Sequence, residues 1–191
     1  MHFTIFDTPI LRTLLRWFSL AMLRLLGWRL HGAFPADKKY VLIGAPHTSN
    51  WDFPYTLMFC FAGGAKLYWM GKHTLFTGMK GPVMRWLGGI PVDRRQKNSL
   101  VEQMVEVFHR SPQLAVAIPP EGTRAKVAEW KTGFYHIACG AGVPIALGYL
   151  DFAKKQGGVL GMFQPSGDIT RDMPLIRARY QSVTGKCPQN Q

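Results

Sequence analysis

Apolar residues in this chain fall into short runs separated by turns rich in glycine and proline, and the period of each run predicts an element. Tyr40-Val-Leu-Ile-Gly-Ala45 follows the polar turn Pro35 to Lys39 as an unbroken apolar run with β-branched residues, the pattern of a buried strand. Lys66 to Met70, Leu114 to Ile118, Val143 to Leu150 and Val159 to Phe163 read as further strands. Between them the period lengthens. A helix is predicted from near Asn50, with Pro54 in its first turn, where a missing N–H is no loss, continuing through Tyr55 to Ala62 and ending at Gly63-Gly64. Ser99 and Glu102 have the spacing of a capping box, and Leu100, Val101, Met104, Val105 and Phe108 form one helical face. A third helix spans about Thr132 to Cys139, whereas the stretch containing Gly78, Gly81, Pro82, Gly88 and Gly89 reads as loop. It leads through Ile90-Pro-Val92 into Asp93-Arg94-Arg95. Strands alternating with helices predict an α/β fold, a mixed, partly parallel sheet flanked by helices, with functional groups on loops beyond the strand ends.

The first thirty residues follow a different pattern. From Ile5 to Leu30 leucines, Trp17, Phe18 and Trp28 are interrupted by Arg12, Arg16, Arg24 and Arg29, and the longest stretch without charge runs only from Trp17 to Leu23. A membrane-spanning helix needs about 20 apolar residues, so this segment does not span. A secretory signal begins basic and ends at a small-residue cleavage site, and this one does neither. Arginines mixed with aromatics suit helices lying among lipid headgroups, stems buried and guanidiniums on phosphates; packing on the protein's own core is the alternative. Residues 1–34 are therefore read as a membrane-associating helical segment and residues 35–191 as the α/β domain.

Composition narrows the function. With 191 residues, 47% hydrophobic and 18% charged, the chain supports one cored domain. Lys and Arg number 23 against 11 Asp and Glu, a net charge of +12, which favours anionic surfaces or ligands. Signatures of nucleic-acid-binding modules are missing and the basic residues are dispersed, so nucleic acid is not an expected partner. Cys60, Cys139 and Cys187 fit neither a disulfide framework nor a metal knuckle, and both Cys60 and Cys139 stand among residues that suggest packing. No metal ligand set is expected.

Chemistry is concentrated in two loops. His47-Thr-Ser-Asn-Trp-Asp52 puts an imidazole after the first strand and a carboxylate in the first turn of the next helix. A carboxylate accepting from Nδ1–H would leave Nε2 free to take a proton from a hydroxyl; an ordinary loop hydrogen bond would look the same in sequence. Pro119-Pro-Glu-Gly-Thr-Arg124 follows the strand ending at Ile118. Gly122 permits close backbone approach, Thr123 can donate a hydrogen bond and Arg124 can hold a phosphate through paired N–H groups, although Glu121 and Arg124 could equally be a surface pair. Arg94 and Lys72 add cations on two further loops.

Taken in order, the His-x4-Asp loop, Gly-Ile-Pro-Val-Asp-Arg94, Pro-Glu-Gly-Thr-Arg124 and Val143-Pro-Ile-Ala-Leu resemble the four blocks of the glycerolphosphate and lysophospholipid acyltransferase family, over roughly residues 40 to 150. The resemblance implies His47 as general base oriented by Asp52. It also implies Arg94, Arg124 and Lys72 on the acceptor's phosphate, and Glu121, Gly122 and Thr123 in the acceptor loop. It implies no bound cofactor; the acyl donor is a thioester of acyl-carrier protein or coenzyme A, and the partners are that donor and an anionic bilayer, at the cytoplasmic face of the cell membrane. Pro119 and Ala125 depart from the usual Phe-Pro-Glu-Gly-Thr-Arg-Ser, so the acceptor could be a lysolipid other than lysophosphatidic acid. Absence of a Gly-x-Ser-x-Gly elbow argues against a lipase or thioesterase. A non-catalytic basic membrane-binding protein would not need His47 and Asp52 at this spacing.

Overall fold

The computed structural model describes residues 2–92 and 97–191, apart from the side chains of residues 97–99. Seven strands form one sheet: β1 (Arg29–His31), β2 (Lys39–Gly44), β3 (Tyr68–Lys72), β4 (Gly89–Val92), β5 (Leu114–Ile118), β6 (Ile145–Asp151) and β7 (Gln156–Phe163). Their order is β1-β7-β6-β2-β5-β3-β4. The five strands from β6 to β4 run parallel, β7 turns back antiparallel to β6, and β1 pairs parallel with β7 at the edge. The mixed sheet flanked by helices matches the fold expected from the alternating pattern.

The sheet is covered on both faces, and β2 shows how its sequence achieves this. Successive side chains on a strand point to opposite faces. Val41 and Ile43 join Val116, Ile145 and Leu147 in the larger core, beneath α4 (Lys97–Arg110), α5 (Gly133–Ala141) and α6 (Ile169–Ala178). Tyr40 and Leu42 join Cys60, Phe61 and Ala115 on the other side, covered by α1 (Pro9–Leu25) and α2 (Asp52–Gly63). Gly64, in the left-handed region at φ 74°, ends α2 as the Gly63-Gly64 break predicts.

Several boundaries moved. The second strand is Tyr68–Lys72 rather than Lys66 to Met70, because Lys66 is committed to an ion pair with Asp7, 2.6 Å away. The presumed loop around Gly81-Pro82 holds the short helix α3 (Lys80–Trp86) and strand β4; Pro82 lies in the first turn of α3, where it is tolerated. Helix α4 starts at Lys97, so Ser99 is its third residue and not its cap. Cys139 is exposed, since α5 buries Phe134, Tyr135, Ile137 and Ala138 instead.

The N-terminal segment is one helix preceded by a single 3-10 turn, Ile5–Asp7, and followed by the edge strand β1. In α1, Ser19 and Leu23 are buried and Leu11 and Leu15 pack against the core. The opposite stripe, at the i, i+4, i+7 and i+8 spacing of one helical face, is exposed: Ile10 (78%), Leu14, Trp17 (68%) and Phe18, continued by Leu25. Arg12, Arg16 and Arg24 are exposed but spread over about 120° of the helix, and only Arg24 borders the stripe. Among the described residues no helix is long and apolar enough to cross a membrane.

Candidate active site

β2 and β5 lie side by side in the sheet and run parallel, with Ile43 opposite Ile118. The two sequence motifs that follow these strands are thereby brought to the same edge of the sheet, beyond the strand ends, where open α/β sheets place their ligands. In the first motif, His47 Nδ1 lies 3.0 Å from Asp52 Oδ2. The same oxygen accepts the amide N–H groups of Thr48 and Ser49, each at 2.9 Å. A carboxylate oxygen that accepts from two amides makes Nδ1 the donor, and in the neutral ring this tautomer leaves the lone pair on Nε2. Asp52 also opens α2, where the helix dipole favours negative charge. Asp52 is buried at 6% exposure, whereas the His47 side chain retains 23%, so the ring is fixed from behind and open in front.

Glu121 completes this cluster from the second motif. Its Oε1 accepts the His47 amide at 3.3 Å, a contact between positions 74 residues apart in the chain. Burial pushes its carboxyl above the ordinary carboxylate range, partly opposed by hydrogen bonds from the Glu121 and His47 amides, while Asp52 adds to the rise. Glu121 Oε2 and Asp52 Oδ1 are buried without a hydrogen-bond partner among the described residues, so both carboxyl groups have unspent acceptor capacity. Such orphaned acceptors each cost about 1–3 kcal/mol, a strain typical of functional sites.

The remaining motif residues are arranged differently. Gly122 has φ 65°, a left-handed conformation that favours glycine, and the end of the Lys131 side chain lies over it. Thr123 Oγ1 accepts the Ala125 amide at 3.3 Å, an internal turn contact. Thr123 and Arg124 are exposed, as is Lys72 at the end of β3. Among the described residues no ion pair engages Lys72 or Arg124. Arg94 lies outside the described residues.

A cavity of about 190 Å³ starts at His47 and Asp52 and continues beneath α2 past Leu57 and Phe59. Small residues on the sheet make room for it: Ala117, Gly148 and Gly158 form part of its lining. Sequence reasoning did not find this cavity, although the small residues on β5 and β6 were visible. Cys60, behind it in α2, is fully buried with its thiol pushed up to about 12 by that burial, a protonated packing residue and no nucleophile.

Comparison with known proteins identifies the family. Residues 28–146, more than half of the chain, match the family described as Acyltransferase. The chain belongs to the acyltransferase family. Among solved structures, this acyltransferase is similar to the 1-acyl-sn-glycerophosphate (LPA) acyltransferase PlsC from Thermotoga maritima, with a TM-score of 0.63 at 16% sequence identity, covering 91% of this chain and 76% of that one. At that identity the likeness concerns the fold. Comparison with curated protein sequences returned no match.

Proposed function

We propose that this acyltransferase moves a fatty acyl group from an acyl thioester to the hydroxyl of a lysophospholipid such as 1-acylglycerol 3-phosphate, with His47 as general base. The observation that carries this reading is the His47–Asp52 hydrogen bond at the mouth of an apolar cavity. Such a base needs a free Nε2 and a fixed tautomer, and such a cavity suits an alkyl chain. The acceptor activity in the Thermotoga maritima protein's name lends further support.

In the reaction, His47 Nε2 takes the proton from the acceptor hydroxyl as its oxygen attacks the thioester carbonyl. The tetrahedral intermediate then collapses with cleavage of the C–S bond, and the departing thiolate takes the proton back from His47. Arg124 and Lys72, free of ion pairs among the described residues, bind the acceptor's phosphate, and Arg94 is assigned to the same role. The donor is a thioester of acyl-carrier protein or of coenzyme A.

The outward stripe of α1 supports binding at a bilayer surface, and the proposed location is the anionic cytoplasmic face of the cell membrane. Full burial of a side chain such as Leu, Ile or Phe is worth about 1.5–3 kcal/mol, so partial insertion of Ile10, Leu14, Trp17, Phe18 and Leu25 holds the protein at the surface where its acceptor resides. Transfer of labelled acyl groups from each thioester to a panel of lysolipids tests the proposal. Transfer to a lysophospholipid by the wild-type protein supports it; vesicle binding with no transfer to any lysolipid overturns it.

A further inference from the structure

The acyltransferase match ends at Ala146, yet a segment far beyond it reaches back to the His47 loop. After α6, Tyr180 anchors the chain by donating its hydroxyl to the Gly148 carbonyl at 3.1 Å, and Thr184 O accepts the Phe152 amide. Gly185 then passes so close to the loop that a Cβ on it would lie 2.7 Å from Thr48 Oγ1, 2.8 Å from Thr48 Cγ2 and 3.2 Å from Pro46 Cγ. The Cys187 amide donates to Thr48 Oγ1 at 3.1 Å, and Asn190 Nδ2 donates to the Thr48 carbonyl at 3.4 Å. Gln191 closes the tail on itself through Gly185 N and Val183 O. Lys186 lies over the rings of Trp51 and Phe152.

Thr48 is thus gripped from two sides. Its amide donates to Asp52 Oδ2, the atom that holds the imidazole, while its hydroxyl and carbonyl belong to the tail. A shift of the tail therefore moves the amide that helps to fix Asp52, and with it the His47 ring.

We propose that residues 185–190 clamp Thr48 and thereby set the position of the His47 ring, making Thr48, Gly185 and Asn190 positioning residues for acyl transfer. The kinetic part of this proposal rests on the acyl-transfer reading above; the geometric part does not. Full-chain Thr48→Val keeps the shape of residue 48 but gives the Cys187 amide no acceptor, Gly185→Ala drives a methyl against Thr48, and Thr48→Ser retains the hydroxyl. Each is compared with wild type for kcat, for KM of both substrates, and for the hydrogen-bonded Nδ1 proton of His47 by NMR without substrate. Thr48→Val and Gly185→Ala should lower kcat about tenfold, the equivalent of one lost hydrogen bond, with KM within about twofold, and should broaden the Nδ1 proton by solvent exchange. Thr48→Ser should restore both. If Gly185→Ala does not fold, Thr48→Val decides alone: wild-type kcat with an unaltered Nδ1 resonance overturns the clamp. A changed resonance in Thr48→Val together with a wild type that transfers no acyl group upholds the clamp and overturns the acyl-transfer reading instead.

Discussion

His47 and Arg124 stand on loops at the same edge of one sheet, yet they are held in opposite ways. The imidazole is bonded to Asp52, whose oxygen is itself held by two amides, and the His47 amide is secured by Glu121. Arg124 is exposed and, among the described residues, unpaired. On the acyl-transfer reading proposed above, the difference follows from the task. A proton-transferring ring must be within hydrogen-bond reach of one atom in one orientation, whereas a guanidinium that meets a mobile lipid phosphate can swing to find it and gains from having no competing partner. Pre-organisation is concentrated where geometry limits the rate.

That contrast can be broken most sharply at the ring itself. His47→Ala should lower kcat by about 100- to 10,000-fold while the thermal unfolding midpoint changes little; labelled acyl transfer measures it, and near-normal turnover would remove His47 from the chemistry. The outward stripe of α1 comes next. Leu14→Asp combined with Trp17→Asp should weaken sedimentation with anionic vesicles by about a hundredfold, on the scale of two large apolar side chains, with circular dichroism unchanged because neither residue is buried. Unchanged sedimentation would place the bilayer contact elsewhere.

On the mobile side, Arg124→Ala should raise KM for the acceptor about tenfold to a hundredfold, the range for hydrogen bonds to a charged group, with kcat much less affected and the difference shrinking in high salt. A fall in kcat alone would mean that Arg124 is held as rigidly as the ring. The smallest effect concerns Glu121. Its folded carboxyl titrates above the ordinary value of 4.5, so the folded state binds the proton more tightly than the unfolded one. Its contribution is full below about pH 4.5 and is lost as pH rises through the raised folded value. Glu121→Gln keeps an acceptor for the His47 amide and cannot ionise, so its unfolding midpoint should gain on wild type as pH rises from about 4 to about 7. A constant difference would show that no buried charge develops there.

Legibility in the sequence followed the range of the interactions involved. β5 and α2 were readable because their signals are local: an unbroken apolar run in one case, an early proline and a glycine pair in the other. The His47–Asp52 contact was readable because a five-residue turn closes it. Helix α6 went unread. Pro174 inside it argues against a helix, yet Asp168 caps it by accepting the Thr170 and Arg171 amides, and burial of Ile176 holds it, a tertiary gain that outweighs the missing bond. β1 was hidden in a segment read as helical because its stability comes from pairing with β7. Glu121 was expected at the acceptor, and its contact with the His47 amide depends on β2 lying beside β5, which no spacing discloses. The grip of Cys187 on Thr48 spans 139 positions and leaves no local trace at all.

These long separations have a consequence for biosynthesis. Because the His47 loop meets Glu121 only after 74 further residues have been added, a nascent chain that has not yet delivered Glu121 holds its histidine in an unfinished setting. Contacts between distant segments are closed late and slowly, so enzymatic competence should emerge at the end of folding, making turnover a sensitive reporter of complete maturation.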